Sequence, residues 1–265
     1  MDSGRKMKLA LYQMNIIWED KEANYTRVRQ KLEIARNRGI DLFLLPEMSF
    51  TGFSMNTNIT KENDSRTIKK MAGYSRQYQM SIGFGWVKDC GEKAENHYTI
   101  VGKEGEILSD YAKIHPFSYS GENEKFQGGK EIVTFRLNDI EFSNFICYDL
   151  RFPEIFQIAS KKAKVFLIPA NWPKTRNEQW KCLLRARAIE NQVYVAAINC
   201  VGDINGLCYS GDSCLIDPNG NILAALSEQE GVLEYEIMDD VQEIRNRFPV
   251  KQDRREALYY VLSGN

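Results

Sequence analysis

The sequence predicts an α/β fold with mixed sheets. Three observations lead to it. Short apolar runs of strand length alternate with amphipathic stretches at helical spacing. Several neighbouring strand runs are separated only by turn residues, so hairpins interrupt the parallel crossovers. No Pro/Gly/Ser-rich linker, low-complexity segment or internal repeat divides the 265 residues, and residues 1–265 read as a single domain.

The elements follow in order. Residues 7–13 alternate in polarity and read as a first strand. Residues 20–37 place Tyr25, Val28, Leu32 and Ala35 at helical spacing, with Gly39 as a stop. Residues 40–46 are a continuous apolar run of the kind buried on both faces. A second helix fits residues 63–78, and strands fit 80–87, 98–102 and 107–113, the last two joined through Lys103-Glu104-Gly105-Glu106. Residues 132–135 and 140–146 form a hairpin turned at Leu137-Asn138-Asp139. A helix over 152–162 carries Pro153 in its first turn. A buried strand at 165–169, a helix at 178–191, a strand at 193–199 and a hairpin of 213–217 with 221–225 complete the pattern, the last turned at Pro218-Asn219-Gly220.

Composition narrows the function. Hydrophobic residues make up 43% and charged residues 27%, which predicts a packed core rather than disorder. A net charge of −1 gives no electrostatic reason to expect nucleic acid or an anionic membrane as partner, so the expected partner is a small molecule. The start, Met1-Asp2-Ser3-Gly4-Arg5-Lys6, is charged and precedes only the short apolar run Leu9-Ala10-Leu11. No signal core and no run of spanning length is present, and the six cysteines read as free thiols. A cytoplasmic location is expected. Two histidines make a His-rich metal site improbable, and no metal or cofactor is expected.

Three places set a reactive side chain just after a strand run, where the sheet fixes the loop backbone. In Leu44-Leu45-Pro46-Glu47-Met48, Glu47 interrupts apolar surroundings; a desolvated carboxylate suits proton transfer near neutrality, although a solvated acid at a strand end is the commoner role. In Tyr111-Ala112-Lys113-Ile114-His115-Pro116-Phe117, Lys113 has the charge to stabilise an oxyanion, or it snorkels to water. His115 reads as a hydrogen-bonded structural residue. In Phe145-Ile146-Cys147-Tyr148-Asp149-Leu150-Arg151-Phe152-Pro153, Cys147 ends a strand and precedes a helix by a tight turn, as in a nucleophile elbow. A helix N-terminus and a nearby cation would lower its thiol pKa; the ordinary role is a small buried hydrophobe, expected for most of the other five cysteines.

Taken together and in this order, these segments resemble the nitrilase superfamily of carbon–nitrogen hydrolases. Thr51-Gly52-Phe53-Ser54-Met55, Ala170-Asn171-Trp172-Pro173, Trp180, Arg185-Ala186-Arg187-Ala188-Ile189-Glu190-Asn191 and Gly211-Asp212-Ser213 extend the match along nearly the whole chain. It is closest to the branch of ω-amidases that deamidate α-keto acid amides. The resemblance implies a four-layer αββα sandwich of two mixed sheets with outer helices, and a homodimer. It also implies a Glu47–Lys113–Cys147 triad. A second glutamate carries over to Glu122, with Glu124 two residues away as the alternative.

The implied reaction is attack of the Cys147 thiolate on an amide, with Lys113 and the Tyr148 backbone N–H on the oxyanion, through a thioester that water hydrolyses. Substrate contacts are expected from Tyr148, Arg151, Asn171, Trp172 and Arg176. The two arginines are candidates for a distal carboxylate, unless Arg151 pairs instead with an acid such as Glu154. One departure stands out. Where the branch often has Asn-Arg-Val-Gly, this chain reads Asn199-Cys200-Val201-Gly202. Other amidases or N-carbamoyl-amino-acid amidohydrolases of the superfamily, or a catalytically silent binding protein on the same fold, are the competing readings.

Overall fold

Residues 6–264 are described by a computed structural model; residues 1–5 of the charged start, on which the absence of a leader was argued, lie outside them. The chain opens with β1 (Lys6–Gln13), α1 (Lys21–Ala35) and β2 (Leu42–Leu44). A short α2 (Thr57–Thr60) and β3 (Lys61–Glu62) lead into α3 (Arg66–Tyr78), then the meander β4 (Ser81–Asp89), β5 (Ala94–Val101) and β6 (Ile107–Ala112). A one-turn α4 (Glu122–Lys125) precedes the hairpin β7 (Thr134–Leu137) and β8 (Ile140–Asn144). A 3₁₀ turn at Cys147–Arg151 then leads to α5 (Pro153–Ala159), β9 (Val165–Ala170), α6 (Asn177–Asn191) and β10 (Tyr194–Asn199). The strands β11 (Val201–Ile204), β12 (Leu207–Ile216), β13 (Ile222–Ser227) and β14 (Gly231–Met238) follow, with α7 (Val241–Arg247) and α8 (Glu256–Leu262) last.

Two seven-stranded mixed sheets result. The first runs β14-β1-β2-β4-β5-β6, with β3 beside β4; the second runs β11-β12-β10-β9-β8-β7, with β13 beside β12. The centres β1-β2-β4 and β8-β9-β10 are parallel, and the flanks are antiparallel apart from the two-residue β3, which runs parallel to β4. Parallel centres need both faces covered, and the sequence supplies this with the apolar runs at β2, β9 and β10, every residue of which is buried. Helices α1 and α3 cover the first sheet, and α5 and α6 the second. The architecture is the four-layer αββα sandwich.

Local sequence explains the layers. Asp20 caps α1 by accepting a hydrogen bond from Ala23 N at 3.0 Å, and the helix buries Tyr25, Val28, Leu32 and Ala35 along one stripe. Against the same side of the first sheet lie Phe43, Ile82 and Phe84. Its other face contributes Leu9, Leu11, Leu44, Tyr98 and Ile100 to the core shared with Phe142, Leu167 and Val195 of the second sheet. That alternation is the period of two written in the strands.

Boundaries moved where polar residues hide a strand or end a helix. The strand expected at 98–102 starts at Ala94, because Glu95-Asn96-His97 reads as loop yet pairs with Lys88, Val87 and Trp86. The hairpin expected from 132 turns on Asn138-Asp139, both at positive φ, so β7 begins at Thr134 and β8 ends at Asn144. The helix expected over 152–162 stops at Ala159. Not foreseen were β11 with the first half of β12, β14, and the helices after residue 240. Among the described residues no helix is long and apolar enough to cross a membrane.

Candidate active site

Glu47 follows β2, Lys113 follows β6 and Cys147 follows β8, and the facing sheets bring the three loops together. Glu47 and Lys113 are almost fully buried, at 0% and 1% exposure, which removes both ordinary readings of these residues, the solvated acid and the snorkelling lysine. Lys113 Nζ donates to Glu47 Oε1 at 2.9 Å and to Glu122 Oε2 at 2.9 Å. Glu122 is itself fully buried and also accepts from Phe117 N at 2.5 Å, whereas Glu124 is exposed. The structure therefore places Glu122, and not Glu124, beside the lysine.

Charge balance in this dry place is governed by the lysine. Burial alone lowers an ammonium's pKa, but Glu122 and Glu47 outweigh it, and Lys113 is raised and stays a cation. Burial pushes the Glu122 carboxyl upward, partly offset by Lys113. One cation thus serves two carboxylates.

The Glu47 loop is held by backbone fit. Ser49 N donates to Gly85 O at 3.1 Å, Gly85 N to Ser49 Oγ at 2.9 Å, and Asn171 Nδ2 to Glu47 O at 2.6 Å. A Cβ at Gly85 would lie 2.3 Å from Met48 N and 2.9 Å from the Glu47 carbonyl carbon, so β4 needs glycine there. Gly85→Ala is expected to displace Glu47, lowering turnover by about 10²-fold together with a fall in melting temperature; wild-type turnover in this variant would show that the loop tolerates the shift.

Cys147 has φ 47°, a left-handed conformation that a non-glycine residue adopts at a cost and that aims its side chain out of the turn. Asp149 secures this elbow. Its Oδ2 accepts from Ile146 N at 3.0 Å and from Tyr111 Oη at 2.7 Å, and its Oδ1 accepts from His115 N at 3.0 Å and lies 2.8 Å from His115 Nδ1. Asp149 so ties the cysteine turn to the lysine loop, and His115, stacked on Phe152 at 3.7 Å, is part of that tie.

The expectation of a lowered thiol pKa is overturned. Burial, and then Glu47, push the Cys147 thiol well up, and the opposing pull of Lys113 is smaller. The reasons are geometric. The residue opens a 3₁₀ turn instead of a helix, α5 starts only at Pro153, and the lysine's charge is already spent on two carboxylates. Nor are most of the other cysteines buried. Cys200 and Cys214 are, but Cys90 lies in the β4–β5 turn, Cys182 on the solvent side of α6 and Cys208 on the projecting β11–β12 hairpin, all exposed.

A cavity of about 220 Å³ opens above Cys147, smaller than the roughly 300–1,000 Å³ of drug-sized sites and so matched to a small ligand. Tyr148, Arg151, Asn171, Trp172 and Arg176 all line it, as do Phe53, Phe117 and Tyr209, which the sequence reading did not single out. Arg151 lies 4.8 Å from the Trp172 ring and donates to Gln179 Oε1 at 2.5 Å instead of pairing with Glu154. Arg176 lies 5.4 Å from the Phe117 ring, and its carbonyl accepts from Trp172 Nε1 at 2.8 Å. Neither guanidinium has a carboxylate partner among the described residues. Cys200, at the position of the departure from the branch pattern, is fully buried in the apolar cluster behind the first sheet. Among the described residues no group of three or more His, Cys, Asp or Glu is arranged to hold a metal.

Residues 8–246 match the model of the carbon–nitrogen hydrolase family. The chain belongs to that family. Its relatives place it in the ω-amidase branch of the nitrilase superfamily. It is 34% identical to the 2-oxoglutaramate amidase of Bacillus subtilis, over 96% of this chain and 100% of that protein. It is 36% identical to omega-amidase YafV of Yersinia enterocolitica, over 93% and 96%. Among solved structures, XC1258 of Xanthomonas campestris, a CN-hydrolase superfamily protein with an arsenic adduct in its active site, superposes with a TM-score of 0.89 at 30% identity, covering 94% of this chain and 97% of that one. Family membership makes this chain a carbon–nitrogen hydrolase, and these named relatives are amidases.

Proposed function

We propose that this carbon–nitrogen hydrolase deamidates small amides whose far end carries a carboxylate, with α-ketoglutaramate as the preferred substrate, and that residues 1–265 act as one catalytic domain. The observation that carries the substrate class is the pair Arg151 and Arg176 in the same cavity as Cys147, each without a carboxylate partner among the described residues. A half-buried guanidinium on an aromatic wall is a well-formed receptor for a carboxylate. The names of the relatives from Bacillus subtilis and Yersinia enterocolitica support the same choice.

The reaction follows from the contacts. Glu47 accepts the Cys147 proton, and the sulfur bonds to the amide carbon as the carbonyl π electrons move to oxygen. Lys113 and the Tyr148 backbone N–H stabilise that oxyanion. The C–N bond breaks, Glu47 returns the proton to the leaving nitrogen, and ammonia departs from a Cys147 thioester. Water then attacks the thioester carbon, giving its proton to Glu47, and the thiolate leaves and recovers it. Glu122 keeps Lys113 charged and in place. Pairing with a second copy belongs to this reading; the exposed Tyr260, Val261 and Leu262 at the C-terminus are apolar surface that such pairing would cover.

The test compares kcat/KM for α-ketoglutaramate and for pentanamide, a neutral amide of equal chain length. A charge-assisted contact of about 1.5–3 kcal/mol predicts a value about 10–150-fold lower for pentanamide. Equal values would remove the anionic substrate and leave a general amidase. N-carbamoyl-β-alanine in the same panel, if preferred, would move the chain to the amidohydrolases.

A further inference from the structure

Asn96 lies on β5, on the face turned toward the second sheet, and is 2% exposed. Its Nδ2 donates to Glu47 Oε1 at 2.8 Å and to Glu122 Oε1 at 3.2 Å, so one amide bridges the two carboxylates that share Lys113. Its backbone carbonyl accepts from Lys113 N at 2.8 Å. A single strand residue therefore touches both acids and fixes the backbone of the lysine.

Counting acceptor positions shows what the bridge does. An ionised carboxylate has about four lone-pair directions. On Glu47, Oε1 is filled by Asn96 Nδ2 and Lys113 Nζ, and Oε2 accepts from Asn171 N at 2.9 Å. One direction remains, on Oε2. Cys147 opens the turn after β8 and lines the cavity together with Lys113 and Asn171, both of which are bonded to Glu47. The three protein donors thus leave the base a single place to take a proton. Asn96 also puts an N–H between two like charges that would otherwise press on each other directly.

The arrangement is not one that packing would choose. Asn96 Oδ1 is buried with no donor among the described residues, and an orphaned acceptor costs stability. The orientation of the amide is fixed all the same, since the reverse would set Oδ1 against two carboxylate oxygens. An apolar residue on this inward face would avoid both penalties. Local rules broken in this way mark functional positions.

We propose that Asn96 is a positioning residue that anchors the Glu47 carboxylate beside Lys113 and Glu122 and leaves one acceptor position on Oε2 open for the Cys147 proton. The inference rests on the catalytic reading above. Without the Asn96 donor, Glu47 loses one of its three anchors and with it the fixed geometry that proton transfer needs.

The experiment is the rate of Cys147 alkylation by iodoacetamide in the full chain, alongside kcat and KM for amide hydrolysis, for wild type, Asn96→Leu and Asn96→Ser. Both variants are expected to lower kcat and the alkylation rate by about tenfold, with KM within about twofold. Unchanged kcat and alkylation in folded variants would overturn the proposal. So would loss of folding in both, which would assign Asn96 to the architecture. Glu47→Gln separates the two levels of inference: if alkylation of Cys147 is indifferent to Glu47, the base assignment itself fails, whatever Asn96 does.

Discussion

Cys147→Ala abolishes turnover and leaves the melting temperature within a few degrees of wild type. The side chain lines an existing cavity, so removing sulfur enlarges that space instead of opening a new sealed void, and the cost is small compared with a core truncation of about 2–5 kcal/mol. The fold at the elbow does not depend on the sulfur, since the turn is held by Asp149 through Ile146 N, His115 and Tyr111. What disappears is the atom that forms the covalent intermediate. Ammonia release above a tenth of wild type would show that another group carries the reaction. Cys182, Cys200, Cys208 and Cys214, changed singly to Ala, are expected to retain most activity.

Lys113→Met lowers turnover by about 10²-fold or more, the usual worth of one preorganised oxyanion stabiliser, and unlike the cysteine variant it also weakens the fold. The lysine is the one cation bonded to Glu47 and Glu122 among the described residues, and removing one partner of a buried ion pair costs about 3–5 kcal/mol. The pH dependence of that loss has a definite sign. Without the ammonium, the carboxylate pair binds a proton more tightly in the folded chain than in the unfolded chain. Stability of the variant is therefore best below the unfolded carboxyl pKa near 4.5 and declines as pH rises through the raised folded value. Thermal melts between pH 4 and 8 should show the gap to wild type widening with pH. A gap that narrows instead would mean that the lysine does not neutralise this pair.

The three site loops were legible in the sequence because each breaks an apolar run with a charged or reactive side chain. A strand's end is where such a break gains meaning, and Leu42–Leu44, Ile107–Ala112 and Ile140–Asn144 each lead into theirs within a few residues. Other parts were legible but unread. Asn205-Gly206 is a strong hairpin signal, and it turns β11 into β12, carrying Leu207 and Tyr209 over the cavity. Leu233, Tyr235 and Ile237 alternate with Glu234 and Glu236, and these acids meet Lys8 and Lys6 across the β1–β14 pair. Asn96 was hidden for a physical reason. Between Glu95 and His97 it has the composition of a loop, and only its pairing with Val87 in three dimensions turns its side chain inward. The proton affinity of Cys147 was hidden for another. It is set first by burial and then by Glu47, with a smaller pull from Lys113, whose charge is shared with a second acid nine residues further along the chain.

The first of the described strands takes its second neighbour from the last of them. β1 pairs in parallel with β2 on one side, and on the other takes β14 from Lys6↔Met238 to Gln13↔Gly231. A nascent chain that has not yet reached residue 231 leaves one edge of β1 unpaired, and synthesis at about 5–20 residues per second leaves it open for many seconds. Such an edge is a template for other extended chains, so truncation before β14 should give aggregation instead of a smaller folded protein. The same long closure puts an entropically costly non-local contact into refolding, and slow refolding is the expected signature.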